Sequence, residues 1–154
     1  MKLGEEFKPS PNLLNYSYLI GIIMPFSFSI ASLFILLVGA PLLSYLLFAF
    51  TIPFALCLIW WVRAFYNTLS YKITKDEVIW KGGVFFKKTS IVPYAKITNI
   101  DITQGPIERL FKISTIRLQT AGYSGPSMNA EIKLAGIENP EEPRKLIAKF
   151  VGNK

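Results

Sequence analysis

The chain has 154 residues, 51% of them hydrophobic, and its 17 Lys and Arg outnumber its 10 Asp and Glu to give a net charge of +7. It contains no histidine and one cysteine, so no intramolecular disulfide can form, and the commonest general base and metal ligand is missing. Neither paired carboxylates nor a glycine-rich phosphate loop stand out, and we expect a protein that is not an enzyme and holds no metal or cofactor.

A long uncharged stretch dominates the first part of the chain, because no charged residue lies between Lys8 and Arg63. A membrane-spanning helix needs about 20 apolar residues, so this stretch is too long for one span and fits two. Gly39–Pro41 offers the break between them. The sequence therefore predicts a transmembrane helical hairpin over 16–38 and 41–62. A buried hairpin of a soluble protein is the alternative, although neither segment has the polar stripe of a soluble helix.

Positive charges flank this hairpin at its two outer ends. Two lysines precede the first span, Arg63 and Lys72 follow the second, and the turn between the spans has no charge. The positive-inside rule then places both chain termini in the cytoplasm. We expect a multi-pass protein of the cell membrane with an N-terminal tail at 1–15 and a cytoplasmic domain at 63–154.

Residues 63–154 begin with short alternating segments that are typical of strands. Strands are predicted at Leu69–Thr74, Glu77–Lys81, Val84–Ile91, Ile97–Thr103, Thr115–Thr120 and Met128–Leu134, with a short helical turn at Ile107–Phe111 and further turns at Gly82–Gly83 and Gly122–Pro126. Six or seven short strands separated by turn residues indicate a small antiparallel sandwich or barrel.

The C-terminal segment changes to helical spacing. Pro140 suits the first turn of a helix, and the acidic pair Glu141 and Glu142 complements the positive end of the helix dipole. The apolar residues that share one face are Leu146, Ile147, Phe150 and Val151. We expect this helix to cover an open end or edge of the sheet, and a free membrane-binding helix is the alternative.

Three segments carry a family resemblance: IVPYAKI at 91–97, IDITQGPIERLF at 100–111 and QTAG at 119–122. They resemble the membrane-flanked bacterial pleckstrin-homology-like (PH-like) domain family, whose members commonly carry two transmembrane helices just before the domain. The resemblance implies an α+β fold in which the hairpin precedes a PH-like β-barrel or sandwich of about seven antiparallel strands closed by a C-terminal helix. Lys112 departs from the pattern, because glycine is expected there.

Two sets of residues are candidates for function. Cations on the predicted strands and turns are candidates for contact with a lipid surface or a protein partner: Lys72, Lys81, Lys87, Lys88, Lys112 and Arg117. The family-motif residues, for which a structural role is favoured over a ligand role, are Pro93, Tyr94, Asp101, Gln104, Gly105, Pro106, Glu108, Arg109, Thr120 and Gly122. For Arg109 this role is expected to be an ion pair with Asp101 or Glu108.

The membrane tether and the basic domain leave two interpretations of function. The first is a membrane-anchored, non-enzymatic interaction module that presents the basic cytoplasmic domain to a membrane-associated protein or to a second copy. The second is a domain that binds phospholipid headgroups at the inner leaflet, since a Lys or Arg near an anionic surface contributes about 1 kcal/mol. We expect membrane lipids and a protein as partners, and no nucleic acid. The residues favour the interaction module, because two spans already localise the domain.

Overall fold

The structure is a computed structural model that describes residues 3–120 and 132–151. Strands and helices follow one another as β1 (Glu6–Phe7), α1 (Pro11–Leu37), α2 (Pro41–Thr68), β2 (Ser70–Ile73), β3 (Glu77–Gly82), β4 (Lys88–Pro93), β5 (Ile97–Thr103), α3 (Pro106–Leu110), β6 (Ser114–Thr120), β7 (Ile132–Ile137) and α4 (Glu141–Val151), with a 3-10 turn at Tyr94–Lys96 between β4 and β5.

The helices α1 and α2 form an antiparallel pair, and each is long and apolar enough to cross a bilayer. α1 begins at Pro11, where the Ser10 side chain accepts a hydrogen bond from the Asn12 N–H at 3.1 Å, so the helix gains a polar cap and a proline in its first turn. Gly39 ends the turn after α1 with a φ of +91°, a conformation that suits glycine. Both helices extend at their outer ends beyond the predicted spans.

A pair of serines joins the two helices near the turn that connects them. The Ser32 hydroxyl donates to the Ser44 carbonyl oxygen at 2.9 Å, and the Ser44 hydroxyl donates to the Ser32 carbonyl oxygen at 2.8 Å. Both side chains are buried between the helices. Small residues with hydrogen-bonding hydroxyls allow helix backbones to approach closely in a membrane, so this pair fixes the register of the hairpin.

The strands form two antiparallel sheets, ordered β1-β2-β3-β4 and β5-β6-β7. The first sheet includes β1 from the N-terminal tail, where Glu6 lies opposite Lys72 and Phe7 opposite Tyr71. Among the described residues no strand ladder joins one sheet to the other. The domain is therefore two sheets with a C-terminal helix, and the described ladders do not make a closed barrel.

Side chains from both sheets and from α4 form one core. Its buried members are Tyr71, Ile73, Val78, Val92, Tyr94, Ile97, Ile116, Leu118, Ile132, Leu134, Ile137 and Ile147. Leu146, Phe150 and Val151 pack against this cluster, so the predicted apolar face of the C-terminal helix is confirmed. α4 covers the core as expected for a helix that closes a strand-rich domain.

The strand predicted at Val84–Ile91 is wrong in its first half. Residues Gly83–Lys87 form a loop, which we call the β3–β4 loop, and β4 begins only at Lys88. Gly83 has a φ of +116°, and a Cβ there would lie 2.0 Å from the Phe86 carbonyl oxygen, so the backbone folds back on itself. The predicted turn Gly122–Pro126 and the start of the strand predicted from Met128 lie outside the described residues.

Candidate functional site

One end of the two sheets is fastened to the helical hairpin, and we call it the hairpin end. Leu13 of α1 packs with Leu69 and Ile113 in a second buried cluster. The Ser10 N–H donates to the Gly136 carbonyl oxygen at 2.8 Å, and the Tyr66 hydroxyl donates to the Pro9 carbonyl oxygen at 2.9 Å. Hydrogen bonds and apolar packing therefore hold the domain at a fixed place on the hairpin.

Strand registers show which loops lie at the hairpin end. β2 starts directly after α2, and its first residue Ser70 lies opposite Lys81 of β3, so the β3–β4 loop is at this end. In the second sheet Ser114 lies opposite Ile137. Ile137 directly follows Gly136, which contacts Ser10 and Leu13 at the start of α1. The connection between β5 and β6, residues 104–113, is therefore also at the hairpin end, and we call it the motif turn.

Four of the six candidate cations lie at the hairpin end. Lys87 and Lys88 are exposed on and beside the β3–β4 loop, and Lys112 is exposed in the motif turn. Lys81, near the end of β3, forms an ion pair with Glu6. That ion pair lowers the pKa of the Glu6 carboxyl, chiefly through the hydrogen bond from Lys81. Lys81 is thus engaged within the fold, whereas the other three ammonium groups face outward.

The remaining two cations lie partway along strands of different sheets. Lys72 is on β2 opposite Ile79, and exposed Arg117 is on β6 opposite Asp101. The six cations therefore do not form one cluster. The candidate surface divides into a group at the hairpin end and two separate positions on the sheets.

The family motif builds the motif turn. One Glu108 carboxylate oxygen accepts from the Gly105 N–H at 2.6 Å, and the other accepts from the Thr115 hydroxyl at 3.1 Å. The Gln104 side-chain amide donates to the Ile113 carbonyl oxygen at 3.0 Å. Gly105 precedes α3 and Pro106 occupies its first turn. These residues satisfy backbone groups that the short helix leaves unpaired.

Carboxylates expected to pair with Arg109 are occupied by other donors. Asp101 accepts from the side-chain amides of Asn99 at 2.9 Å and Gln119 at 2.8 Å, and Glu108 is used in the motif turn. Within residues 3–120 and 132–151, the structure gives no ion pair to Arg109, whose side chain is exposed. Arg109 is therefore open to solvent at the hairpin end.

The other motif residues have structural surroundings. Pro93 is the last residue of β4, and Tyr94 after it is buried, with its hydroxyl donating to the Thr74 carbonyl oxygen at 2.7 Å. Burial raises the pKa of Tyr94 to about 12. Thr120 is the last residue of β6. Gly122 lies outside the described residues.

Lys112 adopts the conformation that glycine would favour. Its φ is +54°, and it is the non-glycine residue with a positive φ in the described part of the chain. The turn expected from the family pattern is thus present even though its glycine is replaced. L-residues other than Gly, Asn and Asp visit this region at a steric cost of about 1–2 kcal/mol.

A groove opens beside the motif turn and extends from the hairpin end to Arg117 on β6. It is lined by Tyr16 of α1, by residues 103–108 and by Arg117 of β6. Arg117 is the cation on the groove wall. Both carboxylate oxygens of Glu108 accept hydrogen bonds inside the motif turn. Within the described residues, no group of three or more His, Cys, Asp or Glu could hold a metal ion.

Sequence reasoning missed the exposed apolar residues at the hairpin end. Phe85 and Phe86 of the β3–β4 loop are 72% and 91% exposed, and Leu110 of α3 is 76% exposed. The sequence does contain a signal for an exposed apolar loop, since the two aromatic residues lie between the turn pair Gly82-Gly83 and the charged pair Lys87-Lys88. The sequence predicts a strand here, and the aromatic residues of a strand would be half buried.

Comparison with known proteins gives one family and one relative. The family model described as "Bacterial PH domain" matches residues 18–151. A protein of Bacillus subtilis (strain 168) named UPF0699 transmembrane protein YdbS is 27% identical over 63 residues. That match covers 40% of this chain and 40% of the relative, so the similarity spans about two fifths of the relative's length. No solved structure matches the chain.

Proposed function

The chain belongs to the bacterial PH domain family, and from this membership we propose that it is a membrane-anchored, non-enzymatic interaction module. The family is a non-catalytic type of module, and the two long apolar helices are the transmembrane helices of a membrane protein. We assign to the two sheets and α4 the PH-like barrel or sandwich of this family. The module presents its basic domain to a protein partner or to a second copy.

The proposal includes a location. The chain is a multi-pass protein of the cell membrane, and its N- and C-termini face the cytoplasm. The distribution of charge supports this orientation, because the cations flank the outer ends of the hairpin and none lies in the turn between α1 and α2.

The observation that carries the proposal is the fixed attachment of the domain to the hairpin. β1 of the tail pairs with β2 after α2, and Leu13 packs into the domain at Gly136. A domain attached in this way holds its free surfaces at a constant height and orientation above the bilayer. Such a geometry suits docking of another membrane-associated protein, because less orientational freedom is lost on binding.

The edge of the first sheet offers a surface for such docking. β4 is the last strand of that sheet, and among the described residues only β3 pairs with it. Ile91 on β4 is 51% exposed. An open strand edge with an exposed apolar side chain can accept a strand from another chain, and the same edge on two copies could mediate self-association.

Site-specific crosslinking in membranes tests this function. A photoreactive residue at Thr89, exposed on β4, should give one discrete adduct, identified by mass spectrometry as a named protein or a second copy and verified by the reciprocal crosslink. Ile91→Arg should reduce this adduct several-fold. Ala148→Arg, on the exposed side of α4, is the matched control and should leave it unchanged. Absence of an adduct, or equal loss in both variants, would contradict the module.

Binding of a phospholipid headgroup is the second candidate, and the groove beside the motif turn favours it. Arg117 on its wall could pair with a phosphate, and Tyr16 lies on the helix that enters the membrane. In this case titration of the full chain with short-chain phospholipids should saturate for one headgroup. Arg117→Gln should weaken that binding several-fold, whereas Lys133→Gln, at the facing position on β7, should not. An equal response to all anionic headgroups, removed by salt, would contradict a headgroup site.

A further inference from the structure

The β3–β4 loop presents two adjacent phenylalanines to the surroundings, and Phe86 has almost no protein contact around its side chain. Phe85 and Phe86 together form a contiguous apolar patch on the domain. Exposed patches of this kind mark sites of protein or membrane contact. The loop has a defined backbone conformation, because Gly83 at its start has a positive φ and a Cβ there would clash with the Phe86 carbonyl oxygen.

The position of the loop decides which contact is available. The ring of Phe85 packs on Trp61 of α2 with ring centroids 5.3 Å apart. Trp61 precedes the end of α2 at Thr68 by about 10 Å at the rise of an α-helix. The loop therefore reaches down along α2 to the aromatic end of the uncharged stretch. Its apolar surface is continuous with the surface that α2 exposes to lipid.

Charge at the loop complements an anionic lipid surface. Lys87 and Lys88 follow the two phenylalanines directly and are exposed. No acidic residue stands between Glu77 and Asp101, and the ion pairs of the described residues do not include Lys87 or Lys88. Aromatic rings prefer the level of the headgroups, and cations beside them are attracted to anionic phosphates over about a Debye length of 8 Å.

A second element has the same character on the other side of the hairpin. Leu110 and Arg109 are exposed on α3, with Lys112 after them. Phe111 next to Leu110 packs against Tyr16 of α1 with ring centroids 6.2 Å apart. The motif turn thus contacts α1 in the way that the β3–β4 loop contacts α2, and each contact brings exposed apolar and cationic side chains to the start of the membrane-spanning segments.

From these contacts we infer that the β3–β4 loop and α3 bind the interface of the bilayer that surrounds the hairpin. Phe85, Phe86 and Leu110 enter the boundary between headgroups and acyl chains, and the neighbouring cations contact anionic phosphates. The domain then rests on the membrane at two points, one beside each helix. Its far end and the edge of β4 stay free, so this lipid contact does not depend on the function proposed above.

Depth-sensitive fluorescence on the reconstituted full chain tests the inference. In a Cys57→Ser background, an environment-sensitive dye is attached at Phe86→Cys or Leu110→Cys, and at Lys75→Cys in the turn at the opposite end of the domain. Phe86 and Leu110 are exposed, so these substitutions leave the core intact. In vesicles of phosphatidylcholine and phosphatidylglycerol, spin-labelled lipid should quench the dyes at 86 and 110 several-fold more than the dye at 75.

Removal of the lysines distinguishes the contribution of charge to lipid contact from the contribution of the apolar side chains. Lys87→Gln with Lys88→Gln should reduce quenching at 86 in vesicles that contain phosphatidylglycerol, and should have little effect in pure phosphatidylcholine. Equal quenching at 86, 110 and 75 would overturn the inference. Protection of residue 86 that appears only when the protein-to-lipid ratio rises would also overturn it, in favour of contact between copies.

Discussion

Lys112 shows how a single residue can depart from a family pattern while the fold is kept. Its positive φ closes the motif turn after α3, and this conformation costs a lysine about 1–2 kcal/mol. Lys112→Gly should relieve that strain and raise the free energy of unfolding by up to about 1 kcal/mol, since the greater freedom of glycine in the unfolded chain offsets part of the gain. Denaturant unfolding of the full chain in detergent measures the change.

Lys112→Ala is the matched control, because it removes the same charge but keeps a Cβ at a positive φ. It should not stabilise the protein. If alanine and glycine raised the stability equally, the gain would come from the charge and not from the backbone.

Two buried tyrosines make stability depend on alkaline pH. Burial raises the pKa values of Tyr71 and Tyr94 to about 12, from a usual value of 10. Well below pH 10 both phenols are neutral whether the chain is folded or unfolded. Between pH 10 and about 12 the unfolded chain ionises and the folded chain does not, so stability falls as pH rises. Unfolding measured from about pH 9 upward should show this decline.

Tyr94→Phe removes the contribution of Tyr94 to the alkaline loss of stability and leaves that of Tyr71. It removes the hydrogen bond to the Thr74 carbonyl oxygen, so we expect a loss of about 1 kcal/mol at neutral pH. The decline at alkaline pH should then be shallower than in the natural chain. Spectrophotometric titration of the folded natural chain in which every tyrosine ionised near pH 10 would refute the assignment.

At the scale of elements, the sequence predicted those strands whose alternation is regular. β5 has the predicted bounds Ile97–Thr103, because apolar and polar residues alternate from Asn99 to Thr103, although its pairing with β6 is irregular between Ile97 and Asn99. The sequence predicts a strand where the β3–β4 loop lies, because the aromatic pair of the loop has high strand propensity and the sequence does not reveal the positive φ of Gly83. β1 was missed altogether, since two residues carry no period.

The packing of α4 on the core is expected to stabilise the domain, and Ile147 is the side chain through which this can be measured. Ile147 is fully buried, whereas Phe150 is only partly buried and stacks on Tyr94 with ring centroids 5.3 Å apart. Ile147→Ala should cost about 2–5 kcal/mol through lost contacts and a cavity. Lys149→Ala, on the exposed side of α4, should change the unfolding free energy by less than about 0.5 kcal/mol. A loss below about 1 kcal/mol for Ile147→Ala would mean that α4 does not hold the core.

At the scale of the whole molecule, the tail, the hairpin and the sheets depend on one another. A reading along the chain separates 1–15, 16–62 and 63–154, and no periodicity in the sequence reveals that Leu13 meets Gly136 or that Phe7 pairs with Tyr71. Such contacts join residues far apart in the chain and depend on how the chain folds back. The candidate cations could be found from the sequence, but the sequence does not reveal that four of the six lie at the hairpin end and that Lys72 and Arg117 lie apart from them.

Gly136 is the point at which this dependence can be broken. A Cβ there would lie 2.7 Å from the Leu13 Cβ, and the φ of Gly136 is +73°. Gly136→Ala should therefore separate α1 from β7 and increase proteolysis between the hairpin and the domain. Gly105→Ala is the matched control, since its Cβ would meet only the Glu108 carboxylate at 3.5 Å without a positive φ. Equal resistance of both variants would show that the attachment does not rest on this contact.

The orientation of the whole molecule follows from its charge, and the turn between α1 and α2 is where it can be measured. Ala40 has a φ of −109°, which any residue adopts, so Ala40→Cys is tolerated where a substitution of Gly39 would be strained. In a Cys57→Ser background, an impermeant maleimide should label the Ala40→Cys variant in intact cells, whereas the Lys75→Cys variant should react only after permeabilisation. The reverse pattern would place both termini outside. The cations at the outer ends of the hairpin would then lie outside the cell, and the orientation expected from the positive-inside rule would be wrong.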